Sequence, residues 1–129
     1  PFFISNCDII IDCDYRDVYE FHRKNKFDLT LVASAKSYEI PYGTCDVSDG
    51  KLRSIEEKPS TNYLVNTGLY MLNPDLIKLI PKNKSYNMTD LIEKMLSDGM
   101  DIGVFTVDED SWIDIGQWAE YKKAVEILG

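Results

Sequence analysis

Residues 2–35, FFISNCDIIIDCDYRDVYEFHRKNKFDLTLVASA, predict a strand, a helix and a second strand in that order. The apolar run Phe2–Cys7 is typical of a buried strand. A helix is predicted over Asp14–Lys26, where the Asp14 side chain can cap the first turn. A second apolar strand follows over Leu29–Ala35. Two strands joined by a helix form a βαβ unit, so we expect a largely parallel sheet.

The middle of the chain predicts a β-hairpin inserted into this arrangement. The sequence Ser48-Asp49-Gly50-Lys51 separates two strand-like runs, and Asp-Gly in that position favours a tight turn. Further elements are predicted over Leu69–Leu72 (strand), Asp75–Leu79 and Thr89–Leu96 (helices), Ile102–Val107 (strand), Trp112–Asp114 (extended) and Gln117–Leu128 (helix). The class is therefore α/β, and the chain of 129 residues fits one domain, 1–129, or a piece of one.

The same periodicity predicts which side chains face the core. We expect these helical residues to point inward: Leu91, Ile92, Met95, Leu96, Trp118, Tyr121, Val125 and Leu128. His22 lies on the apolar face of the first helix, which is more typical of a packing residue than of a ligand or base. The three cysteines, Cys7, Cys13 and Cys45, are expected to be small buried hydrophobic residues.

The composition limits the partners and the compartment. The net charge of -8 argues against nucleic acid, because phosphate backbones bind surfaces rich in Lys and Arg. An acidic protein that binds phosphorylated substrates needs a divalent cation and a few well-placed bases. No apolar stretch reaches the length of a membrane span, so no membrane partner is expected. Cysteines without a CxxC pair make zinc a poor candidate and favour a reducing compartment, so we expect a cytoplasmic protein.

A possible ligand site lies just after the hairpin. In isolation, Glu57-Lys58 is typical of a solvated surface pair. The sequence Asn66-Thr67-Gly68, eight residues later, opens a predicted strand and changes that interpretation. Glycine there permits a ligand to approach the backbone, asparagine can bind sugar hydroxyls, and lysine supplies a compact charge for a phosphate.

These residues belong to a wider pattern that resembles the sugar-1-phosphate nucleotidyltransferases, also called NDP-sugar pyrophosphorylases. The matching segments follow the order of the family: Asn6-Cys7-Asp8, Pro41-Tyr42-Gly43, Glu57-Lys58-Pro59, Asn66-Thr67-Gly68 and Trp112-Ile113-Asp114-Ile115-Gly116. The resemblance covers the whole chain. It implies a partial three-layer, Rossmann-like nucleotide-diphospho-sugar transferase fold with a mostly parallel sheet and an inserted hairpin.

The resemblance also implies catalytic and metal-binding roles. Asp8 and Asp114 would hold Mg²⁺, a cation that suits carboxylate oxygens and bridges substrate phosphates. Lys58 would neutralise the sugar phosphate. The implied reaction transfers a nucleotidyl group from an NTP to a sugar-1-phosphate and releases pyrophosphate. It depends on positioning and charge stabilisation by Lys58 and the metal, and it needs no covalent nucleophile.

The implied substrate contacts come from two other parts of the chain. Gly43 would donate its backbone N–H to the sugar, and Glu57 would accept hydrogen bonds from sugar hydroxyls. Asn66 and Thr67 complete the implied substrate-binding set together with Lys58. The segments around Gly43 and Asp114 look most like those of bacterial guanylyl- or uridylyl-type enzymes for cell-surface sugars; thymidylyl-type enzymes belong to the same family.

The family's glycine-rich loop for NTP phosphates has no match in this sequence. We therefore expect the chain to be the C-terminal, sugar-phosphate side of a larger nucleotidyltransferase domain, and to be inactive alone. If the preceding strands are absent, Phe2–Cys7 becomes an exposed apolar edge through which the chain could form a homo-oligomer.

Two alternatives remain open at this stage. Asp12-Cys13-Asp14 is a DxD sequence, which glycosyltransferases use to hold a metal-bound sugar nucleotide, although Asp14 is also well placed as a helix cap. The chain could also be a non-catalytic relative that binds a sugar phosphate or nucleotide sugar as a regulatory module. The presence of both Asp8 and Asp114 favours the enzyme.

Overall fold

The computed structural model describes residues 1–129 apart from the side chain of residue 120. The strands are β1 (Phe2–Ser5), β2 (Ile9–Ile11), β3 (Leu29–Glu39), β4 (Thr44–Ser48), β5 (Lys51–Glu56), β6 (Ser60–Leu72), β7 (Ile102–Val107) and β8 (Trp112–Asp114). The helices are α1 (Tyr15–Lys24), α2 (Met88–Ser97) and α3 (Trp118–Leu128), with short 3₁₀ turns at Pro74–Leu79 and Glu109–Ser111. The predicted elements are all present, and β3 and β6 extend well beyond their predicted bounds.

A four-stranded sheet with the order β1-β6-β3-β7 forms the centre of the fold. Strand β6 lies between the two strands of the predicted βαβ unit and runs antiparallel to both. The β3–β7 pairing is parallel. The expectation of a mostly parallel sheet is therefore wrong, because a strand from far along the chain separates β1 from β3. Local sequence patterns do not report such a long-range pairing.

Helices cover both faces of this sheet, so the predicted three-layer α/β arrangement is confirmed. Alternate residues of β6 point to opposite sides, as in any strand. Leu69 packs with Val18 of α1, Val32 and Val107. The other face carries a second cluster, formed by Leu29, Tyr70, Leu72, Leu76, Leu91 and Met95.

Helix α1 begins as predicted. The Asp14 carboxylate accepts a hydrogen bond from the backbone N–H of Arg16 at 2.8 Å, which satisfies one of the unpaired groups of the first turn. His22 is buried, and its Nδ1 and Nε2 lie 2.8 Å from Thr30 Oγ1 and from Asn73 Oδ1. His22 therefore links α1 to the sheet, as expected for a packing residue.

The inserted hairpin is also confirmed. Strands β4 and β5 pair with each other around a turn in which Asp49 and Gly50 have φ values of 52° and 72°. Two consecutive positive φ angles are the mark of the tight turn that Asp-Gly favours. The hairpin lies beyond a long two-stranded ribbon, in which β3 residues Ala33–Glu39 pair with β6 residues Asn66–Ser60.

Several burial predictions are wrong. Leu96 of α2 is 61% exposed, and the predicted apolar face of α3 is largely exposed, with Trp118 at 70% and Leu128 at 68%. Cys7 and Cys45 are exposed, whereas Cys13 is partly buried. Helical periodicity correctly predicted the apolar stripe of α3, but it cannot show whether another element covers that stripe.

Strand β1 is an edge of the central sheet, paired with β6 on one side in the part of the chain that the structure describes. Its side chains Phe2, Phe3 and Ile4 are partly buried against the two cores. Self-association through residues 2–7 stays a prediction, and sedimentation over a range of concentrations tests it.

Among the described residues, no helix is both long and apolar enough to cross a membrane.

Candidate active site

A small antiparallel pairing brings the two predicted metal-binding segments together. Strand β2 pairs with β8 in the register Ile9↔Asp114 and Ile11↔Trp112. The backbone N–H of Ile115 donates to the carbonyl oxygen of Asp8 at 2.9 Å and extends the pairing by one step. This pairing joins residues more than 100 positions apart in the chain. As a result, Asp8 lies directly beside Asp114 and Ile115.

Both carboxylates converge on Gly116. An ideal Cβ built at Gly116 would lie 2.6 Å from Asp8 Oδ2 and 3.0 Å from Asp114 Oδ1. The backbone N–H of Gly116 donates to Asp114 Oδ1 at 3.0 Å, which orients that carboxylate. A side chain at this position would therefore force the Asp8 carboxylate to move and would crowd that of Asp114.

This donor set fits Mg²⁺. The two carboxylates provide hard oxygen ligands, and no ion pair involves either of them among the residues that the structure describes. No third His, Cys, Asp or Glu joins them in that part of the chain. Mg²⁺ commonly keeps several waters and binds through one or two carboxylates plus substrate phosphates, so a pair is sufficient.

A bulge in β6 supports the segment that carries Asp8. The β3–β6 register shifts between Val32 and Ala33, which leaves Thr67 and Gly68 unmatched. Gly68 has φ +90° and lies against the Asn6 side chain, and its carbonyl oxygen accepts a hydrogen bond from the Asn6 backbone N–H at 2.9 Å. Gly68 thus allows a close approach to its backbone, and the group that approaches in the structure is the Asn6 side chain; approach by a ligand stays a prediction.

The structure gives Asn66 and Thr67 different surroundings. Asn66 is exposed; its Nδ2 donates to the Tyr70 hydroxyl at 2.7 Å and its Oδ1 accepts from the Gly68 N–H at 2.9 Å. Thr67 is buried, and its hydroxyl donates to the Val32 carbonyl oxygen at 2.8 Å. The Thr67 side chain therefore stabilises the bulge and does not face a substrate, whereas Asn66 keeps hydrogen-bonding capacity on the surface.

The remaining predicted contacts lie at the hairpin end of the ribbon. A Cβ at Gly43 would lie 3.3 Å from Glu57 Oε2, so these two residues are neighbours. Lys58 is exposed and has φ 44°, unusual for lysine. Among the described residues Lys58 forms no ion pair with either acid, and its phosphate role stays a prediction.

A cleft beside Asp114 contains residues that the sequence analysis missed. The cleft has a volume of about 320 Å³ and is lined by Lys36, Ser37, Tyr38, Glu109, Trp112, Asp114 and Gln117. Lys36 Nζ lies 5.2 Å from the centre of the Trp112 ring, within the range of a cation–π contact. No sequence signal marked Lys36. It lies near Trp112 only because β3 pairs with β6 and β8 lies beside β3 in the folded chain.

Cys13 provides a test of the local electrostatics. Burial raises the pKa of its thiol, and the nearby carboxylates of Asp12, Asp14 and Asp17 raise it further. A raised pKa leaves less thiolate, the reactive form, at neutral pH. We expect iodoacetamide at pH 7.5 to modify Cys13 more slowly than the exposed Cys7 and Cys45, as measured by peptide mass spectrometry. Equal rates for the three cysteines would contradict this.

The three-layer arrangement of helices around a central sheet, together with the inserted hairpin, is that of a Rossmann-like nucleotidyltransferase. The chain belongs to the Nucleotidyl transferase family, whose model matches residues 1–128. It is 29% identical over 132 residues to a UTP–glucose-1-phosphate uridylyltransferase of Synechocystis, covering 95% of this chain and 34% of the relative. It is 31% identical over 123 residues to a mannose-1-phosphate guanyltransferase 2 of Candida glabrata, covering 91% of this chain and 33% of the relative.

Solved structures agree on the fold. HddC of Yersinia pseudotuberculosis matches with a TM-score of 0.70 and 25% identity, over 99% of this chain and 55% of that one. The inositol-1-phosphate CTP transferase of T. maritima matches with a TM-score of 0.58 and 16% identity, over 92% and 50%. The chain thus spans about a third of the length of the two curated relatives and about half of these solved chains.

Proposed function

We propose that this chain supplies the metal and sugar-phosphate side of an enzyme that transfers a nucleotidyl group from an NTP to a sugar-1-phosphate. A sugar phosphate oxygen forms a new bond to the α-phosphorus, and the bond from that phosphorus to the bridging oxygen breaks. Pyrophosphate leaves with the bonding electrons, and the product is an NDP-sugar. The names of the Synechocystis and Candida relatives support this reaction class.

The observation that carries the proposal is the convergence of Asp8 and Asp114 at Gly116. Two carboxylates on neighbouring segments can bind one cation together, since both supply hard oxygen ligands. Bound Mg²⁺ would supply positive charge to offset the repulsion between the two anionic substrates. This local charge reconciles a net charge of -8 with phosphorylated substrates.

The other residues of the chain bind and orient the substrate. In the proposed site, Asn66 offers its remaining amide hydrogen and lone pair to a hydroxyl group. Gly43 and Glu57 are adjacent, so one backbone N–H and one carboxylate can bind neighbouring hydroxyls of a sugar. Lys58 supplies a positive charge at the same end of the ribbon. Such positioning accounts for much of the rate enhancement when no covalent intermediate forms.

We expect this chain alone to bind a sugar-1-phosphate in the presence of Mg²⁺ and to release no pyrophosphate. The reason is that no glycine-rich loop for the NTP phosphates is found in its sequence. Calorimetry with glucose 1-phosphate and mannose 1-phosphate, each with and without MgCl₂, measures the first expectation. A coupled pyrophosphate assay with the four common NTPs measures the second.

The outcomes separate the proposal from its alternative. Binding of a sugar-1-phosphate that requires Mg²⁺ supports the proposal, and the matched variant Asp114→Asn should lose this Mg²⁺-dependent binding. Binding with no dependence on Mg²⁺ or on Asp114 would instead favour a non-catalytic sugar-phosphate module. Robust pyrophosphate release by the chain alone would contradict the expected inactivity.

A further inference from the structure

Lys36 is placed where an anion beside Asp114 would need a positive charge. It lies on β3, and the segment that leads into β8 packs against that strand: the Ser34 hydroxyl donates to the Asp108 carbonyl oxygen at 3.2 Å. This contact brings the lysine, two residues further along, next to the Trp112 ring. Lys36 and Asp114 therefore line the same cleft although their segments are far apart in the sequence.

The charges of the cleft limit what it can bind. Lys36 is the one cation among the described residues that line it, and Glu109 and Asp114 contribute carboxylates. Among the described residues, Lys36 forms no ion pair with either acid. A free anion would be repelled by two carboxylates. An anion that also binds a divalent cation at Asp8 and Asp114 would meet positive charge from both sides.

The position of Lys36 is also constrained. Its side chain is half-buried, and the cation–π contact with Trp112 holds the ammonium group 5.2 Å from the ring centre. A lysine that is already held loses less conformational freedom when it binds a ligand than a fully exposed lysine does. Lys58, by comparison, is exposed.

We propose that Lys36 binds the phosphoryl group of the sugar-1-phosphate in the cleft beside Asp114. The inference rests on the function proposed above and adds a phosphate-binding residue that the sequence motifs do not include. The Lys36 ammonium group donates to a phosphoryl oxygen, and a cation held by Asp8 and Asp114 would supply further positive charge to the same anion. Binding at Lys36 is therefore expected to depend on the divalent cation.

The test measures glucose 1-phosphate binding to the chain by calorimetry with MgCl₂ present. Lys36→Met keeps the apolar stem over Trp112 and removes the charge, so we expect affinity to fall about tenfold or more, the usual effect of one charge-assisted hydrogen bond. Lys36→Arg should restore most of it. The matched control is Lys122→Met, which removes another lysine stacked on a tryptophan, Trp118, outside the cleft. It should leave the affinity unchanged.

A second measurement locates the ligand. The chain has two tryptophans, so in the Trp118→Phe variant the emission reports on Trp112 alone. Glucose 1-phosphate should change this emission with Lys36 present, and the change should be lost in Lys36→Met. Thermal unfolding of each variant checks that a loss of binding does not come from a loss of fold.

The outcomes also distinguish this inference from the proposed function. If Asp114→Asn loses binding while Lys36→Met binds glucose 1-phosphate like the parent, the Lys36 assignment is overturned and the proposed function stands. If Lys36→Met weakens binding of pyrophosphate but not of glucose 1-phosphate, the anion at Lys36 belongs to the nucleotide, and the assignment to the sugar phosphate is wrong. If the parent chain binds neither anion with MgCl₂, both proposals fail.

Discussion

Asp114→Asn is expected to lower the divalent-cation affinity of this chain by at least about tenfold, because even outer-shell changes at metal sites cost 10–100-fold. The substitution removes one of two carboxylates but leaves an oxygen that can still accept the Gly116 N–H. The local fold should therefore survive while the negative charge is lost. Mn²⁺, which prefers the same hard ligands, allows the affinity to be measured by electron paramagnetic resonance titration.

A companion variant tests the geometry of the site without altering either acid. In Gly116→Ala the new Cβ would lie 2.6 Å from Asp8 Oδ2, closer than real Cβ atoms approach another atom, and 3.0 Å from Asp114 Oδ1, which is a tight contact. Gly116 does not have a positive φ, so alanine suits its backbone and the effect is steric. We expect a loss of Mn²⁺ affinity similar to that of Asp114→Asn.

Gly43→Ala provides the control for this experiment. Its Cβ would meet the end of the Glu57 side chain at 3.3 Å, and neither aspartate is among the nearest atoms. Mn²⁺ affinity should match that of the parent chain. If Gly116→Ala also binds Mn²⁺ like the parent, the two carboxylates do not act together on one cation, and the proposed metal site is wrong.

Gly68→Ala is expected to destabilise the chain by about 2–4 kcal/mol, the largest stability effect that we predict for a single added methyl group. A Cβ at φ +90° costs about 1–2 kcal/mol in backbone strain. Its overlap with the Asn6 side chain adds a similar amount, about 1–2 kcal/mol, since a packed neighbour must move. For a domain of this size the melting temperature should fall by about 10 °C in thermal unfolding.

Gly50→Ala separates the backbone strain from the steric overlap in the loss of stability predicted for Gly68→Ala. Gly50 has φ +72°, and nothing lies within 4 Å of an added Cβ, so it carries backbone strain without a clash. We expect about half the loss seen at Gly68, about 1–2 kcal/mol. Asn6→Ala combined with Gly68→Ala should recover part of the stability, because it removes the amide atoms that lie closest. Equal losses at Gly68 and Gly50 would contradict the contact with Asn6.

Much of the fold could be predicted because its signals are local. The Asp14 cap, the Asp49-Gly50 turn and the strand over residues 102–107 depend on neighbours within a few residues, and the structure confirms each of them. The path of β6 could not be predicted in this way. Its insertion between β1 and β3 is decided by pairings such as Phe2↔Leu72 and Leu29↔Leu72, which join residues more than 40 positions apart, so the expected parallel sheet is mixed.

The candidate site was likewise predictable from the sequence only in part. The sequence resemblance pointed to Asp8 and Asp114, and the β2–β8 pairing places them together. Thr67 was also expected to bind substrate, but the bulge in β6 turns its hydroxyl into the sheet. Lys36 was missed, because only the packing of β3 against the segment before β8 places it over Trp112.

By itself, the sequence determined the family, the α/β class, the hairpin and the identity of the acidic pair, because caps, turns and motif residues act through short-range chemistry. The tertiary structure alone decided the strand order, the direction of β6 and which apolar stripes are covered. It also decided which charge lies beside Asp114. These features depend on contacts between distant segments, which exist only once β2 meets β8 and β6 lies between β1 and β3.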